Sequence, residues 1–594
     1  MIKFSKNMTN LEISELLRNI AAAYQLKDKD KHKFRIVAYQ RAADAIEHLT
    51  SEAKDLWDDG KLKEISGIGA SIEEHLDEIF RTGRSKHFEV VAKGIPPATF
   101  ELMKVSGVGS KTAFKLANEL KIKEAKGAIK KLKKAIKEGK VTDIEGFGEQ
   151  SQEAIEKSIK EVTSKKRRLL LPYATKVADE VIEWMKKEKS VKNVDVLGSL
   201  RRNTSTIGDI DIAVATDSPV KVLDHFTKYP KKQRVLEKGD KTASIIVSGS
   251  VQVDIIAQSP DSYGSLLQHF TGSKHHNIAL REYAIKKQMS LSEYGIKKKG
   301  KLIKCPTEKD FYQKLGMDWI EPELREDTGE IEAAINHKLP KLIELKDIKS
   351  DLQIHSDFDI ETSHDLGESS IEAIVDKANE LGYEYIAFTE HNPSQSGHNG
   401  KQIIDILKRK KERIEKLNSS IAEKGTGSVK KVFNSLEIDI LPDGRLPVPD
   451  EGLELLDFAL VSIHSSFKQP RNTVTKRILS ALAHPKVKIF AHPTGRKLGY
   501  REGVELNWPQ IFDFCKQNNK WLEINAEPIR LDLPDVIVRD ATKEGVKLTM
   551  GTDAHHKDSL NNMIFGVSVG RRGWATKSDI VNTKPLREFL KMVK

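Results

Sequence analysis

The segment Gly198-Ser199-Leu200-Arg201-Arg202-Asn203-Thr204-Ser205-Thr206-Ile207-Gly208-Asp209-Ile210-Asp211-Ile212 decides how this chain is read. Side chains alternate faces along a strand, so Asp209 and Asp211 point one way while Ile210 and Ile212 enter a core on the other. Two carboxylates on one face are half of a two-cation site. Val251-Gln252-Val253-Asp254-Ile255-Ile256 offers a third acid, Asp254, again among alternating apolar residues. Backbone amides of the Gly198-Ser199 turn suit triphosphate oxygens, and Arg201 or Arg202 suits their charge. The reaction this set implies is nucleotidyl transfer. An isolated Asp-x-Asp is commonly just a surface strand; the Gly-Ser turn, the arginine pair and the third acid lift this one above that.

Outward from that segment, 594 residues leave room for about four domains. Only Cys305 and Cys515 occur, too few for a disulfide framework, and no signal-like or membrane-spanning run is present. A cytoplasmic location and no membrane partner are expected. The formal charge of +12 is modest, but lysines cluster in KGAIKKLKKAIKEGK (126–140), KKRR (165–168) and KKKGK (297–301). Such clusters suit a phosphate backbone, although charge runs are commonly only solvated helix faces.

A short pattern recurs near the N-terminus: Ile65-Ser66-Gly67-Ile68-Gly69, then Val105-Ser106-Gly107-Val108-Gly109-Ser110-Lys111, then Ile144-Glu145-Gly146-Phe147-Gly148. Glycines allow a sharp turn between two helices, and the amides opening the second helix can then hold a phosphate. The chain before Leu169 reads as helical, and β-branched alternation dominates from Val194 to Ile256. Helix returns over Gly264 to Tyr294, interrupted by Phe270-Thr271-Gly272-Ser273. Ile320 to Lys349 is charged and proline-marked, as a linker would be. From about Asp351 short apolar strands alternate with helices, the pattern of a parallel α/β domain.

That last region carries His355 in DLQIHSD, Asp365 in HDLG, His391 in FTEHNPS, Glu437 in LEIDI, His464 in VSIHSS, His492 in FAHPTGR, and Asp553 and His555 in GTDAHH. Imidazoles and carboxylates at strand C-terminal ends suit Mn²⁺, Zn²⁺ or Fe²⁺ and activation of water for phosphoester hydrolysis. A lone histidine is more often structural than a ligand; their recurrence through one α/β region argues otherwise.

With these residues in view, residues 1 to about 320 resemble a family X DNA polymerase of the beta type. The resemblance rests on the helical N-terminal region, the Gly-x-Gly hairpins, GSLRR, GDIDI and HFTGSKHHN. It implies a multidomain α+β and α/β chain: a lyase-like helical domain over 1–85, a fingers-like helix-hairpin-helix region over 86–164, a nucleotidyltransferase palm over 165–260, a thumb over 261–320, a linker over 321–348 and a further domain over 349–594. It implies Mg²⁺ or Mn²⁺ held by Asp209, Asp211 and Asp254. Gly198, Ser199, Arg202, Arg168 and Gly208 would meet the incoming triphosphate, and Phe270, Gly272, Asn277 and Arg281 the sugar, base and template. Gly67, Gly69, Gly107, Gly109, Lys111, Gly146 and Gly148 would grip DNA backbones without reading sequence. Lys33, His32 and Tyr39 would suit a 5′-phosphate. His75 stands where animal relatives carry an imine-forming lysine; imidazole cannot form that imine, so lyase chemistry by that route is not expected. His269 stands where a tyrosine is usual, which leaves sugar discrimination open.

The C-terminal region resembles a PHP (polymerase and histidinol phosphatase) domain, a distorted (β/α)7 barrel that binds three metals. By that resemblance the ligands are His355, Asp365, His391, Glu437, His464, His492, Asp553 and His555. The family pattern opens His-x-His; here it opens Gln353-Ile354-His355, and an amide is a weaker donor, so a site missing or loosening one metal is expected. The loop from Ser356 to Asp365 is also longer than usual. The resemblance implies a monomeric repair polymerase of the base excision type that fills gapped or nicked DNA from dNTPs. It also implies a Mn²⁺-dependent 3′–5′ exonuclease and abasic-site endonuclease. Three alternatives stand beside it: a nuclease-inactive C-terminal domain kept for support, a template-independent nucleotidyltransferase acting on RNA, and a DNA end-binding module with decayed catalysis. The hairpins and the thumb segment argue against the second, and the intact aspartates against the third.

Overall fold

The computed structural model describes residue 8, residues 10–47, 53–58, 60–65, 67–105 and 108–149, five positions between 152 and 159, and residues 168–593. Gly107 lies outside the described residues. The chain divides into two compact units. One comprises residues 1–169, 179–184 and 223–254, the other residues 170–178, 185–222 and 255–594. Among the described residues no helix is long and apolar enough to cross a membrane.

In the first unit, helices Asn10–Asp28 and Lys33–Glu47 form because Ile13, Leu17, Ile20 and Tyr24 recur at helical spacing and meet Tyr39, Ala42, Ala43 and Ile46. A second core gathers Leu102, Val105, Ala113, Leu116 and Leu132. Gly67, at φ +81°, makes the turn ahead of helix Ala70–Thr82, where a Cβ would stand 3.3 Å from that of Ala45. Strands Lys232–Lys238 and Thr242–Val247 pair antiparallel in this unit.

In the second unit, strand Asn193–Val196 pairs antiparallel with Ile210–Ala215, in the register Val194↔Val214 and Val196↔Ile212. Leu197, Ala213 and Ala215 pack beneath helix Tyr263–Thr271 through Tyr263, Leu266 and Leu267. A small antiparallel sheet follows, ordered Lys301–Ile303, Gly295–Lys298, Met289–Ser292. The stretch expected as a linker is packed instead. Leu324, Arg325, Glu330, Ala334 and Ile343 are buried, because apolar residues at intervals among its charges face a shared core with Phe311, Leu315 and Trp574.

Two parallel sheets complete this unit. One has strands Ser350–Ile354, Tyr385–Phe388 and Lys431–Asn434; the other has Glu437–Asp439, Ala459–Ser462, Val487–Phe490, Trp521–Asn525 and Leu548–Gly551. Runs such as Tyr385-Ile386-Ala387-Phe388 are apolar at every position, as strands covered on both faces require. Parallel bridges His391↔Glu437 and Ile354↔Ala554 join the sheets at two edges. Leu352, Tyr385, Phe433, Phe458, Trp521 and Phe589 share one core.

Candidate active sites

Ile210 and Ile212 are fully buried on strand Ile210–Ala215, with Asp211 half-buried between them and Asp209 exposed just before the strand. Gly198 follows strand Asn193–Val196 at φ +58°, and a Cβ there would lie 2.9 Å from Asp211 Oδ2. The left-handed φ favours glycine here, and a Cβ would push against the end of the Asp211 side chain. Asp254 is half-buried between the buried Val253 and Ile255 on strand Val251–Gln258, where its carboxylate accepts from Gln252 Nε2 at 3.0 Å. Gly208 and Arg168 are exposed, and Ser199 is half-buried.

The two arginines are used differently. Arg201 makes a bidentate pair with buried Glu308, at 2.9 and 2.6 Å, and donates to Thr271 Oγ1 at 2.6 Å. Arg325, fully buried, holds the same carboxylate at 2.6 Å. Burial would raise the Glu308 pKa, but Arg325 and Arg201 outweigh it and bring it down to about 2. Arg202 turns the other way: its Nε donates to Glu326 at 2.9 Å and its Nη1 to the carbonyl of Thr271. Phe270 is 37% exposed beside His269, whose pKa burial lowers. Asn277 donates to the His269 carbonyl at 2.7 Å and accepts from Gln268, and Arg281 is exposed.

In the first unit Gly67, Gly69, Gly109, Gly146 and Gly148 are exposed, as are Lys33 and Lys111. Gly69 and Gly109 stand just before helices Ala70–Thr82 and Ser110–Glu119, leaving those helices' first amides open to an anion. Tyr39 is buried, and its hydroxyl bonds His75 Nδ1 at 3.0 Å. His75 stacks on His87 at 4.1 Å between ring centroids. Burial lowers both imidazoles, and His87 adds to the effect on His75.

The C-terminal histidines converge. Parallel strands end together on one edge, so residues just past those ends meet there. His355 Nε2 lies 3.1 Å from Asp553 Oδ1 and 3.3 Å from Glu437 Oε2. Glu437 is central: His492 Nε2 reaches it at 2.8 Å, His464 Nε2 at 3.4 Å and His391 Nδ1 at 3.8 Å. His555 stacks on His355 at 4.3 Å. Potential ligand atoms gather in four overlapping groups: His355, Glu437 and Asp553; Glu437, His464 and His492; His355, His391 and His555; and His364, His391, Asp439 and His464. His492 and Asp553 hold left-handed backbone, at φ +27° and +54°, the kind of strain that collects at functional sites.

Asp365 is exposed and enters none of these groups; its neighbour His364 turns inward and bonds Asp439 Oδ2 at 2.7 Å. Sequence reasoning passed over His364 and Asp439, although Glu437-x-Asp439 repeats the one-face alternation of the palm pair. It also passed over Glu523 and Asn525, which back the site from strand Trp521–Asn525. Asn525 Nδ2 reaches Gln353 Oε1, Glu523 Oε2 and Asp553 Oδ2 at 3.1, 3.2 and 3.2 Å. Gln353 itself donates from Nε2 to Glu437 Oε2 at 2.8 Å.

Electrostatics inside this cluster are strong. Burial disfavours the His355 imidazolium, but Asp553 and Glu437 outweigh it and lift its pKa to about 10. Burial drives His391 well below its usual range, with His355, His464 and His364 adding to the effect. Glu523 is pushed well above the carboxylate range by burial and by Asp553. Nδ1 of His355, of His391 and of His492 is buried without a hydrogen-bond partner. Orphaned buried nitrogens are costly, and a cation would satisfy them, so the donor set fits a divalent metal centre.

The chain thus carries a helical N-terminal region and a mixed α/β region bearing a buried histidine–carboxylate cluster. Residues 266–326 match the DNA polymerase beta thumb family and residues 8–85 a helix-hairpin-helix domain family. Over 591 residues, 98% of this chain and all of the relative, the chain is 34% identical to DNA polymerase/3′-5′ exonuclease PolX of Bacillus subtilis (strain 168). It belongs to the PolX family of family X DNA polymerases. DNA polymerase lambda of Rattus norvegicus is 24% identical over 355 residues, 53% of this chain and 56% of that protein. A protein named "Probable phosphatase" of Thermoanaerobacter sp. (strain X514) is 25% identical over 235 residues, 38% of this chain and 88% of its own.

Proposed function

We propose that this chain fills short gaps in DNA during repair and that its C-terminal region trims 3′ ends or opens abasic sites. The polymerase reading is carried by one observation: Gly198 turns the backbone at φ +58° with its Cβ position 2.9 Å from Asp211 Oδ2, which sets a candidate phosphate-binding turn beside that acid. Family membership and the strand pattern supply Asp254 as the third acid. Divalent cations, Mg²⁺ or Mn²⁺, held by these acids supply charge stabilisation for in-line attack of the primer 3′-oxygen on the α-phosphorus, with pyrophosphate leaving. The chain's own part is positional. The amides of Gly198 and Ser199 hold phosphate oxygens, Arg202 neutralises triphosphate charge, and Arg201 keeps the turn fixed against Glu308. In this reading the base for the 3′-hydroxyl proton is Asp254. Phe270, Gly272 and Asn277 bound the sugar and base, and the exposed hairpin glycines hold the flanking duplex as a monomer binds it.

In this reading the C-terminal strands, within the segment 349–594, close as a distorted (β/α)7 barrel. Mn²⁺, Zn²⁺ or Fe²⁺ would be held by His355, His391, Glu437, His464, His492, Asp553 and His555, and would supply an activated water for phosphodiester hydrolysis. The engagement of Gln353 with Glu437 favours a second reading, a centre with one weak cation position and a supporting role. Extension of a one-nucleotide gap with Mg²⁺ tests the first part; extension unchanged in Asp209→Ala/Asp211→Ala would sink it. Shortening of a 5′-labelled strand with Mn²⁺ tests the second part.

A further inference from the structure

Arg572 ends helix Met563–Arg572, which follows the Asp553–His555 loop of the C-terminal region, yet its side chain serves the palm. Nε and Nη2 hold Asp535 Oδ2 at 2.7 and 2.6 Å. Nη1 donates to the carbonyl of Arg202 at 2.8 Å and to Glu326 Oε1 at 3.0 Å. The same Glu326 oxygen accepts Arg202 Nε at 2.9 Å. Two guanidiniums therefore share one carboxylate, and the Arg572 side chain is only 9% exposed.

We propose that Arg572 is a positioning residue for nucleotidyl transfer, holding Glu326 so that the carboxylate orients Arg202 without cancelling its charge. This rests on the reading that Arg202 meets the triphosphate. A carboxylate paired with one arginine alone competes with any incoming anion for that arginine. Sharing the carboxylate with a second guanidinium weakens the competition, while the hydrogen bonds to Nε and to the Arg202 carbonyl still fix the plane. Glu326, Asp535, Arg202 and Arg572 together are neutral, so the array needs no other counter-ion. Neighbouring Arg571 provides an internal contrast. It holds Glu323 at 2.8 Å, Glu321 at 3.4 Å and the Ile343 carbonyl at 3.2 Å, and so joins the same helix to the same segment without touching Arg202.

Steady-state gap filling by the full chain with Mg²⁺ and varied dNTP tests this. Arg572→Gln should raise the dNTP KM roughly five- to tenfold with kcat within about twofold, the size expected for weakening one charge-assisted contact. Arg572→Lys should lie near wild type. Arg571→Gln should leave KM in place, and Glu326→Gln added to Arg572→Gln should lower KM again, because the competing charge is gone. A contact that merely docked the helix would behave oppositely: Arg571→Gln would match Arg572→Gln, and the double variant would be worse than the single; either result overturns the proposal. If Arg572→Gln does not fold, Asp535→Asn, which frees Arg572 from its anchor, should raise KM roughly two- to threefold, and an unchanged KM there overturns it. Arg202→Met separates the two readings. A raised KM in Arg202→Met with a normal one in Arg572→Gln rejects the positioning role alone, and a normal KM in Arg202→Met rejects both.

Discussion

Asp209 is exposed and Asp211 half-buried where strand Ile210–Ala215 begins, whereas Glu437 and His355 are fully enclosed by other donors of the C-terminal cluster. In the proposed reading the palm would supply only carboxylates and leave the remaining coordination positions to substrate phosphate. The C-terminal cluster supplies imidazoles and carboxylates from many strand ends and could complete a cation's shell by itself. Cations in the palm would thus arrive with nucleotide and leave with pyrophosphate, while those in the cluster would be residents.

The sharpest way to break this contrast is Asp209→Ala/Asp211→Ala. Gap filling should fall at least about a thousandfold while strand shortening continues. A parallel loss of both activities would show that the two sites are not separate. Asp553→Ala should do the reverse, abolishing shortening and lowering the metal retained after gel filtration, as read by elemental analysis. Gly198→Ala should cost gap filling roughly a hundredfold or more, because its Cβ would displace the Asp211 carboxylate, with the melting temperature little moved.

A proton-coupled difference is next in size. His355 is raised to about 10, so it carries a proton at neutral pH that a cation must displace. Its apparent metal affinity should climb as pH rises from 7 towards 10, by up to about tenfold per unit for one displaced proton. Titrating Mn²⁺ into weakly buffered protein at pH 8 should release acid; no release would argue against His355 as a ligand. The smallest effect is Gln353→His, which replaces the amide bonded to Glu437 with a stronger donor. It should raise the retained metal count and increase shortening several-fold. No change in either would mean that Gln353 is not what limits the centre.

Legibility followed sequence distance. The Asp209-x-Asp211 pattern is local, and the structure buries Ile210 and Ile212 while leaving Asp209 exposed and Asp211 half-buried. Seven of the C-terminal histidines and acids were readable because each follows an apolar strand run, and parallel packing brings such ends together. His364 was not, since its approach to Asp439 depends on how the loop after His355 folds back, and no periodicity encodes a loop path. The Ile320–Lys349 stretch misled because charges and prolines mark its surface, while the apolar residues that bury it are too irregularly spaced to show a period. Tyr39, Lys33 and His32 suit a 5′-phosphate by the resemblance, and the bond from the Tyr39 hydroxyl to His75 is a contact that no local pattern encodes. The Arg572–Glu326–Arg202 array spans the chain from palm to C-terminal region and leaves no local trace.

The bridge between Ile354 and Ala554 brings the first and last strands of the C-terminal region side by side, and His355 and Asp553 face each other across it. Asp351 and Thr552, bonded across the same seam, are 201 positions apart in the chain. An ion bound by both flanks would act as a clasp on a closed loop of that length. By the loop-closure estimate for crosslinks, such a clasp removes on the order of 5 kcal/mol of chain freedom from the unfolded state. Metal in this region would then set whether its ends stay joined, independently of any bond it cuts in DNA.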